Sequence, residues 1–274
     1  YIKMMSQTCA VNLSVHFGTT GRLLPTGTAC TSGSLAIGEA YEMIRWGRQD
    51  VMIAGGAEEF SVTQVAVFDT LFATSRRNGE PDLTPRAFDV RRDGLVIGDG
   101  AATLILEERE HALARGARVI AEIVGFGTNT DGRHVTQPNA ETMAGALGLA
   151  LEDAGLSPSD IGYVNAHGTA TELGDIAEGT AMSLAFGAHR PPVSTIKGYT
   201  GHTLGACGAI EAVMTIGMLN AGWFAPNLNL EEPDPRCGGH DFITGGGRAF
   251  ETEFAMSDNF AFGGVNTSLI FRRA

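Results

Sequence analysis

Apolar positions change their period along this chain, and the changes mark out its elements. Met4, Met5, Cys9, Val11, Leu13 and Val15 precede a Gly18-Thr19-Thr20-Gly21 loop and predict a short amphipathic helix packed beneath the next strand. Leu23 to Thr28 form an extended apolar run that ends at Cys30. After it Ala36, Ala40, Met43 and Ile44 recur at helical spacing, and Gly47 stands where such a helix would stop. The reading is strand, tight turn, helix. A second apolar run covers 51–54; Gly55-Gly56-Ala57-Glu58-Glu59 then reads as a turn into a helix over 60–73. Residues 74–93, rich in Arg, Pro and Asp, form a long irregular loop, a length usually tied to function or mobility.

The second half is more regular. A strand over 103–107, a helix over 109–115 closed by Gly116, and a strand over 119–125 come first. Helix 142–154, strand 161–165, helix 174–186, strand 193–196 and helix 204–221 follow, and segments 254–262 and 265–271 close the chain as a hairpin-like pair. Such alternation predicts a parallel-rich, layered α/β fold. No internal repeat is strong enough to show a duplication by itself.

Composition narrows the class without selecting a function. The 274 residues, 43% hydrophobic and 18% charged, can bury a substantial core as one large or two small domains. There is no run of about 18 consecutive apolar residues, and Tyr1-Ile2-Lys3-Met4-Met5 is not a secretory signal, so a cytoplasmic chain with no membrane partner is expected. A net charge of −12 and a pI near 5.0 argue against nucleic-acid binding, although a local basic patch could still dock an acidic partner. Cys9, Cys30, Cys207 and Cys237 are scattered without a C-x-x-C pair, which predicts reduced thiols and no metal site. Gly98-Asp99-Gly100-Ala101-Ala102 mimics a dinucleotide fingerprint, but a strand follows it where a phosphate loop needs a helix.

Cys30 is the first candidate for chemistry. At a helix start, unpaired N–H groups and the positive dipole end favour a thiolate, so ionisation below the free value of about 8.5 is expected. Ala29, Thr31, Ser32 and Gly33 leave the sulfur open to a bulky electrophile. Three further segments follow in order: Asn165-Ala166-His167-Gly168-Thr169-Ala170-Thr171, then Lys197-Gly198-Tyr199-Thr200-Gly201-His202, then Asn259-Phe260-Ala261-Phe262-Gly263-Gly264.

Together with Cys30, this ordered set resembles the elongating β-ketoacyl-acyl-carrier-protein synthases, decarboxylating Claisen condensing enzymes of thiolase-like fold. The resemblance covers essentially the whole chain. It implies a duplicated five-layer α-β-α-β-α architecture and the acyltransferase chemistry of fatty-acid or polyketide-like elongation. Members carry further sequence ahead of this point, so a fragment with an incomplete N-terminal half is expected, residues 1–115 ending that half and 116–274 forming the C-terminal half. By the resemblance Cys30 holds the acyl group, the N–H groups of Cys30 and Phe262 form an oxyanion hole with Phe262 as a gate, and His167 and His202 stabilise the enolate from malonyl decarboxylation. Lys197 supports the histidines and Glu211 anchors that network. Thr169 and Thr171 bind the phosphopantetheine arm, with Phe260, Gly263 and Gly264 in the same substrate site. No cofactor is required, because substrates arrive on the phosphopantetheine of acyl carrier protein. The partners implied are that carrier and an identical or related subunit, with Arg76 and Arg77 as candidate carrier contacts and Arg86-Ala87-Phe88-Asp89 near the active site.

Departures are visible. Ser257-Asp258-Asn259-Phe260-Ala261-Phe262 stands where many relatives have Ser-Asn-Ser-Phe-Gly-Phe, and Ala261 should restrict φ beside the gate. Gly198-Tyr199 replaces the commoner Ser-Met pair. These features resemble condensing enzymes of aryl-polyene and related pigment pathways. Two alternatives remain: a thiolase, for which Cys237-Gly238-Gly239 would supply the second cysteine loop, and a non-catalytic chain-length-factor-like partner, which would typically lack the cysteine.

Overall fold

From Gly100 onward the expected alternation is what the chain folds into, in the computed structural model, which describes residues 5–274. Met4 of the N-terminal apolar set lies outside the described residues. The elements in order are α1 (Thr8–Phe17), α2 (Ser32–Arg45), β1 (Val51–Glu58), α3 (Val62–Thr70), β2 (Gly100–Glu107), α4 (Arg109–Ala114) and β3 (Ala121–Thr130). There follow α5 (Ala140–Ala154), β4 (Ile161–Asn165), α6 (Glu172–Phe186), β5 (Pro192–Ser194), α7 (Lys197–Thr200) and α8 (Cys207–Ala221). Short strands β6 (Trp223–Phe224), β7 (Asp241–Phe242) and β8 (Arg248–Ala249) lead to β9 (Phe254–Phe260) and β10 (Val265–Arg273).

Strands β3, β10, β9, β4, β5 and β7 form one sheet in that order, in which β10 alone runs against the rest. Because successive strand residues point to opposite faces, β4, β9 and β10 feed two cores at once. Tyr163, Ala255 and Leu269 face α2 and α8, whereas Val164, Met256 and Ile270 face α5 and α6. On the far side of α2 and α8 lies the antiparallel pair β1–β2, which sends Ala54 into the same core. The order is therefore β1–β2, then α2 with α8, then the six-stranded sheet, then α5 with α6. Ala101, Thr103 and Ile105 on the other face of β2 are exposed. The arrangement is the thiolase-like one expected, with the two halves of the chain meeting in the middle helical layer.

Several local expectations fail for identifiable reasons. Residues 23–28 are extended but belong to no strand, since no described strand runs alongside to pair with them. The step into α2 is instead a 3-10 turn, Ala29–Thr31, with Ala29 at φ +51°. Helix α1 forms but buries no residue, so it is not packed beneath anything described. The segment 55–58 continues β1, with Glu58 paired to Gly100, and α3 begins only after Ser61, whose side chain and Gln64 make a reciprocal cap. Leu204–Ala221 has a mean hydropathy of 1.4 over 18 residues, enough for a membrane span by composition. Its place between two sheets makes it a core helix.

The long loop is tied down rather than loose. The Phe88 N–H donates to Asp175 Oδ2 (2.6 Å) and the Gly94 N–H to Ala170 O (3.0 Å). Buried Arg92 reaches Asp234 Oδ2 (2.7 Å), and Phe88 stacks on Phe242 with ring centroids 4.8 Å apart. These contacts join residues 86–94 to the second half of the chain.

Helix α5 approaches β3 closely at Gly127, where a Cβ would lie 2.1 Å from Ala146 O and 2.5 Å from Ala150 N. Gly127→Ala should therefore destabilise the fold by about 1–3 kcal/mol through overpacking. Gly148→Ala, on the exposed side of α5 with nothing within 4 Å, should be neutral or stabilise by up to about 1 kcal/mol. Thermal unfolding of the two variants against the native chain checks both signs.

Candidate active site

Cys30 occupies the 3-10 turn that enters α2. The turn is held by Thr31 Oγ1 donating to Thr28 O (2.8 Å) and Ser32 Oγ donating to Ala29 O (2.7 Å). Helix α2 lies against α8 at Gly33, where a Cβ would come within 2.9 Å of Ala209 N. This close approach sets the cysteine beside the start of α8. The Cys207 thiol donates to Cys30 O (3.2 Å).

His202 follows Gly201 in the bend after α7. Its N–H donates to Val96 O (2.7 Å), and its carbonyl accepts from the Gly98 N–H (3.0 Å), so the end of the long loop fixes its backbone. The Leu204 N–H donates to Nδ1 (3.3 Å), which leaves the ring proton on Nε2, 3.1 Å from Cys30 Sγ.

His167 lies just past the C-terminal end of β4. Glu178 on α6 accepts the N–H groups of His167 (2.6 Å) and Gly168 (2.8 Å) and fixes the backbone. Lys197 Nζ donates to His167 Nδ1 at 3.2 Å, as does Asn259 Nδ2 at 3.2 Å. Nδ1 therefore accepts and Nε2 carries the proton, buried and without a hydrogen-bond partner. The two imidazoles stand 5.1 Å apart, edge to face. Burial first, and the Lys197 charge second, hold both rings well below the ordinary histidine value, so both are neutral at pH 7.

Lys197 begins α7 rather than ending a strand. Its ammonium is buried and forms an ion pair with Glu211, whose other oxygen accepts from Asn259 Nδ2 (2.5 Å). Burial is the largest effect and would lower the lysine, but the Glu211 carboxylate, Cys207 and Glu178 together outweigh it and the ammonium is kept. Burial raises Glu211, opposed by Lys197 and Asn259.

The backbone N–H groups of Phe262 and Cys30 favour the charged form of the cysteine sulfur. They do not make it a standing thiolate. Burial pushes the thiol up to about 11, while Lys197 and these N–H groups pull only partly the other way. The expected acidic thiol is thus corrected: the sulfur is buried, and desolvation outweighs the helix start.

A cavity of about 360 Å³ joins these groups, its wall including Cys30, His167, His202, Thr169, Thr171 and Phe262. Phe260 and Gly264 also line it, and the Thr169 and Thr171 hydroxyls lie 2.8 Å apart. Gly263 is not in the wall; its N–H donates to Val135 O (2.7 Å). Phe262 leans on Phe68, ring centroids 5.8 Å apart. Ala261 has no positive φ, so alanine is accommodated in the turn without the restriction expected. Cys237 lies outside this wall, under α6, where burial pushes its thiol up to about 12. Arg77 is engaged with Glu80 and Asp93, and Arg76 lies over the Phe72 ring.

Sequence reasoning missed Glu178, Cys207 and the part played by Asn259. Asp175 and Glu178 share the buried face of α6 with Met182, and acids in an apolar stripe were the available signal. Strand alternation likewise puts Asn259 on the face of Ala255, toward the helix that bears Glu211.

The chain matches the family model for the beta-ketoacyl synthase N-terminal domain over residues 1–112, and that for the beta-ketoacyl synthase C-terminal domain over 120–231. It is 45% identical over 271 residues to a 3-oxoacyl-[acyl-carrier-protein] synthase 2 of Vibrio cholerae, covering 96% of this chain and 65% of that protein. The chain thus spans about two thirds of the length of such curated relatives. A crystal structure of a beta-ketoacyl synthase from Burkholderia phymatum superposes with a TM-score of 0.98 at 61% identity, covering 100% of this chain and 67% of that one. A type II PKS acyl-carrier protein in complex with its ketosynthase, bound to the hexaketide, superposes at 0.93 with 33% identity, covering 98% and 67%.

The electrostatics give a direct test. Replacing the ion pair as a unit, Lys197→Met with Glu211→Gln, removes the larger downward pull on Cys30 along with the smaller upward one. Cys30 alkylation by iodoacetamide, followed at the peptide level from pH 7 to 10, should rise with pH without a plateau in the native chain. It should be several-fold slower in the double variant; equal or faster alkylation would contradict the assignment.

Proposed function

The chain belongs to the beta-ketoacyl synthase family, and from that premise we propose that it carries the catalytic centre of an elongating β-ketoacyl-carrier synthase, with Cys30 as nucleophile and His167 and His202 as the decarboxylation pair. One observation carries this reading. Both histidines accept at Nδ1 and so present Nε2–H groups to the cavity that holds the cysteine sulfur. Neutral imidazoles of this tautomer donate, and they suit an oxygen that gains negative charge.

In the first half-reaction the Cys30 sulfur attacks the carbonyl of an acyl thioester. The new S–C bond forms, the old one breaks, and the thiol proton leaves with the departing carrier thiol. Since Cys30 rests as a thiol, its proton is lost in the course of attack, and the Cys30 and Phe262 N–H groups receive the carbonyl oxygen as it becomes anionic. In the second, malonyl-carrier loses carbon dioxide. The electron pair of the broken C–C bond passes into an enolate whose oxygen is held by His167 and His202. The enolate carbon attacks the acyl-cysteine, and the expelled Cys30 thiolate is reprotonated from solvent. The products are the 3-oxoacyl-carrier and carbon dioxide.

Lys197 keeps His167 in the donating form, and Glu211 keeps Lys197 charged. Thr169 and Thr171 fit the polar part of a phosphopantetheine arm, which brings both substrates on an acyl carrier protein; no other cofactor enters. The partners proposed are that carrier and a second subunit, identical or related, in a cytoplasmic setting. The place of Cys237 outside the cavity wall does not favour the thiolase reading.

Incubation with a carrier charged with a medium-length acyl chain should add that acyl group to Cys30, seen by intact and peptide mass spectrometry and lost in Cys30→Ala. His167→Ala and His202→Ala should keep the adduct and each lower malonyl decarboxylation by about 10²–10³, the usual cost of one oxyanion donor. Undiminished decarboxylation in both variants would remove the role given to the pair. A folded chain that takes no acyl group would instead favour a non-catalytic partner subunit.

A further inference from the structure

Asn259 has no part in the proposed reaction, yet its side chain sits between His167 and Glu211. Nδ2 lies 3.2 Å from His167 Nδ1, 2.5 Å from Glu211 Oε2 and 3.8 Å from Cys207 Sγ, and the residue is fully buried. An amide donates from one end and accepts at the other. Turned over, it would set Oδ1 against the Glu211 carboxylate and against a ring nitrogen that already accepts from Lys197. As it stands, Oδ1 has no partner. It rests where a Cβ on Gly208 would come within 2.7 Å, so the glycine leaves room for it. Leaving a buried carbonyl unpaired is costly, and the two acceptors at the other end hold the amide this way against that cost.

We propose that Asn259 is a positioning residue: its Nδ2–H, with the Lys197 ammonium, keeps His167 Nδ1 bare and so keeps the single ring proton on Nε2, aimed into the cavity. The two donors differ in kind. Lysine supplies a charge on a flexible stem, whereas the amide adds a donor whose plane Glu211 fixes and which brings no charge to the ring. The same contact covers the second oxygen of Glu211, so one amide serves both the carboxylate that holds Lys197 and the imidazole that Lys197 faces. The catalytic meaning of this arrangement rests on the role proposed above for His167. The position of the proton does not.

The test is the nitrogen spectrum of the full 274-residue chain labelled with ¹⁵N-histidine at pH 7, with His167 assigned by its loss in His167→Gln. The native chain should show His167 as the Nε2–H tautomer alone. Asn259→Asp exchanges the donor for an acceptor and should abolish that signal, with the proton appearing on Nδ1 as the other tautomer or as imidazolium. Asn259→Ser, which retains a donor hydroxyl, should keep the native signal. A folded Asn259→Asp chain, judged by circular dichroism, that retains the Nε2–H signal alone would overturn the proposal. Should that variant not fold, Asn259→Leu, of similar size and without a donor, takes its place. A second His167 signal from the Nδ1–H form supports the proposal, and the native signal alone overturns it. None of these readouts needs acyl transfer, so a chain that takes no acyl group and a chain with a misassigned Asn259 are told apart.

Discussion

The ammonium of Lys197 is the charge on which the rest of the site depends. An unpaired charge in a position this buried would be expelled or neutralised, so its presence requires Glu211. The pair then propagates in two directions. Toward His167 it fixes which nitrogen accepts, and toward Cys30 it lowers a thiol that burial raises. Neither histidine needs to carry charge for this to work, and burial ensures that neither does.

Layer packing turns that local chemistry into a place. Lys197 arrives from the start of α7, Glu211 from α8, His167 from the end of β4 and Cys30 from the turn before α2, and these elements meet where α2 and α8 touch between the sheets. Glycine at Gly33 and Gly208 lets the two helices and β9 come close enough for hydrogen bonds to form across them. The middle layer is built from one helix of each half of the chain, so the site belongs to neither half.

Legibility in the sequence follows the range of the interactions involved. Strands β4, β5, β9 and β10 and helices α5, α6 and α8 are readable because their period is set by burial and their ends by glycine and turn residues, whereas the single turn α7 and the two-residue strands β6, β7 and β8 are too short to show a period. Cys30, His167, Lys197 and His202 were readable from ordered motifs. What failed depended on partners distant in the chain. Residues 23–28 have the composition of a strand but no neighbour to pair with, and Gly55 to Glu58 look like a turn but are drawn into β1 by β2. The ionisation of Cys30 departs from the expectation because a helix start can be seen in sequence and burial cannot. In the sequence Asn259 is only one letter of a motif, since its task is set by Glu211, 48 positions away.

The long loop between α3 and β2 carries a consequence for how this chain can change. Loops ordinarily absorb insertions and deletions, because little depends on their length. Here residues 88–94 are clamped to Asp175, Ala170 and Asp234, and two residues later Val96 and Gly98 hold the backbone of His202. The stretch works as a ruler laid between two fixed marks. Length variation in relatives that keep this histidine should therefore gather before Arg86 and be scarce between Asp89 and Gly98, the reverse of what an irregular, polar segment suggests.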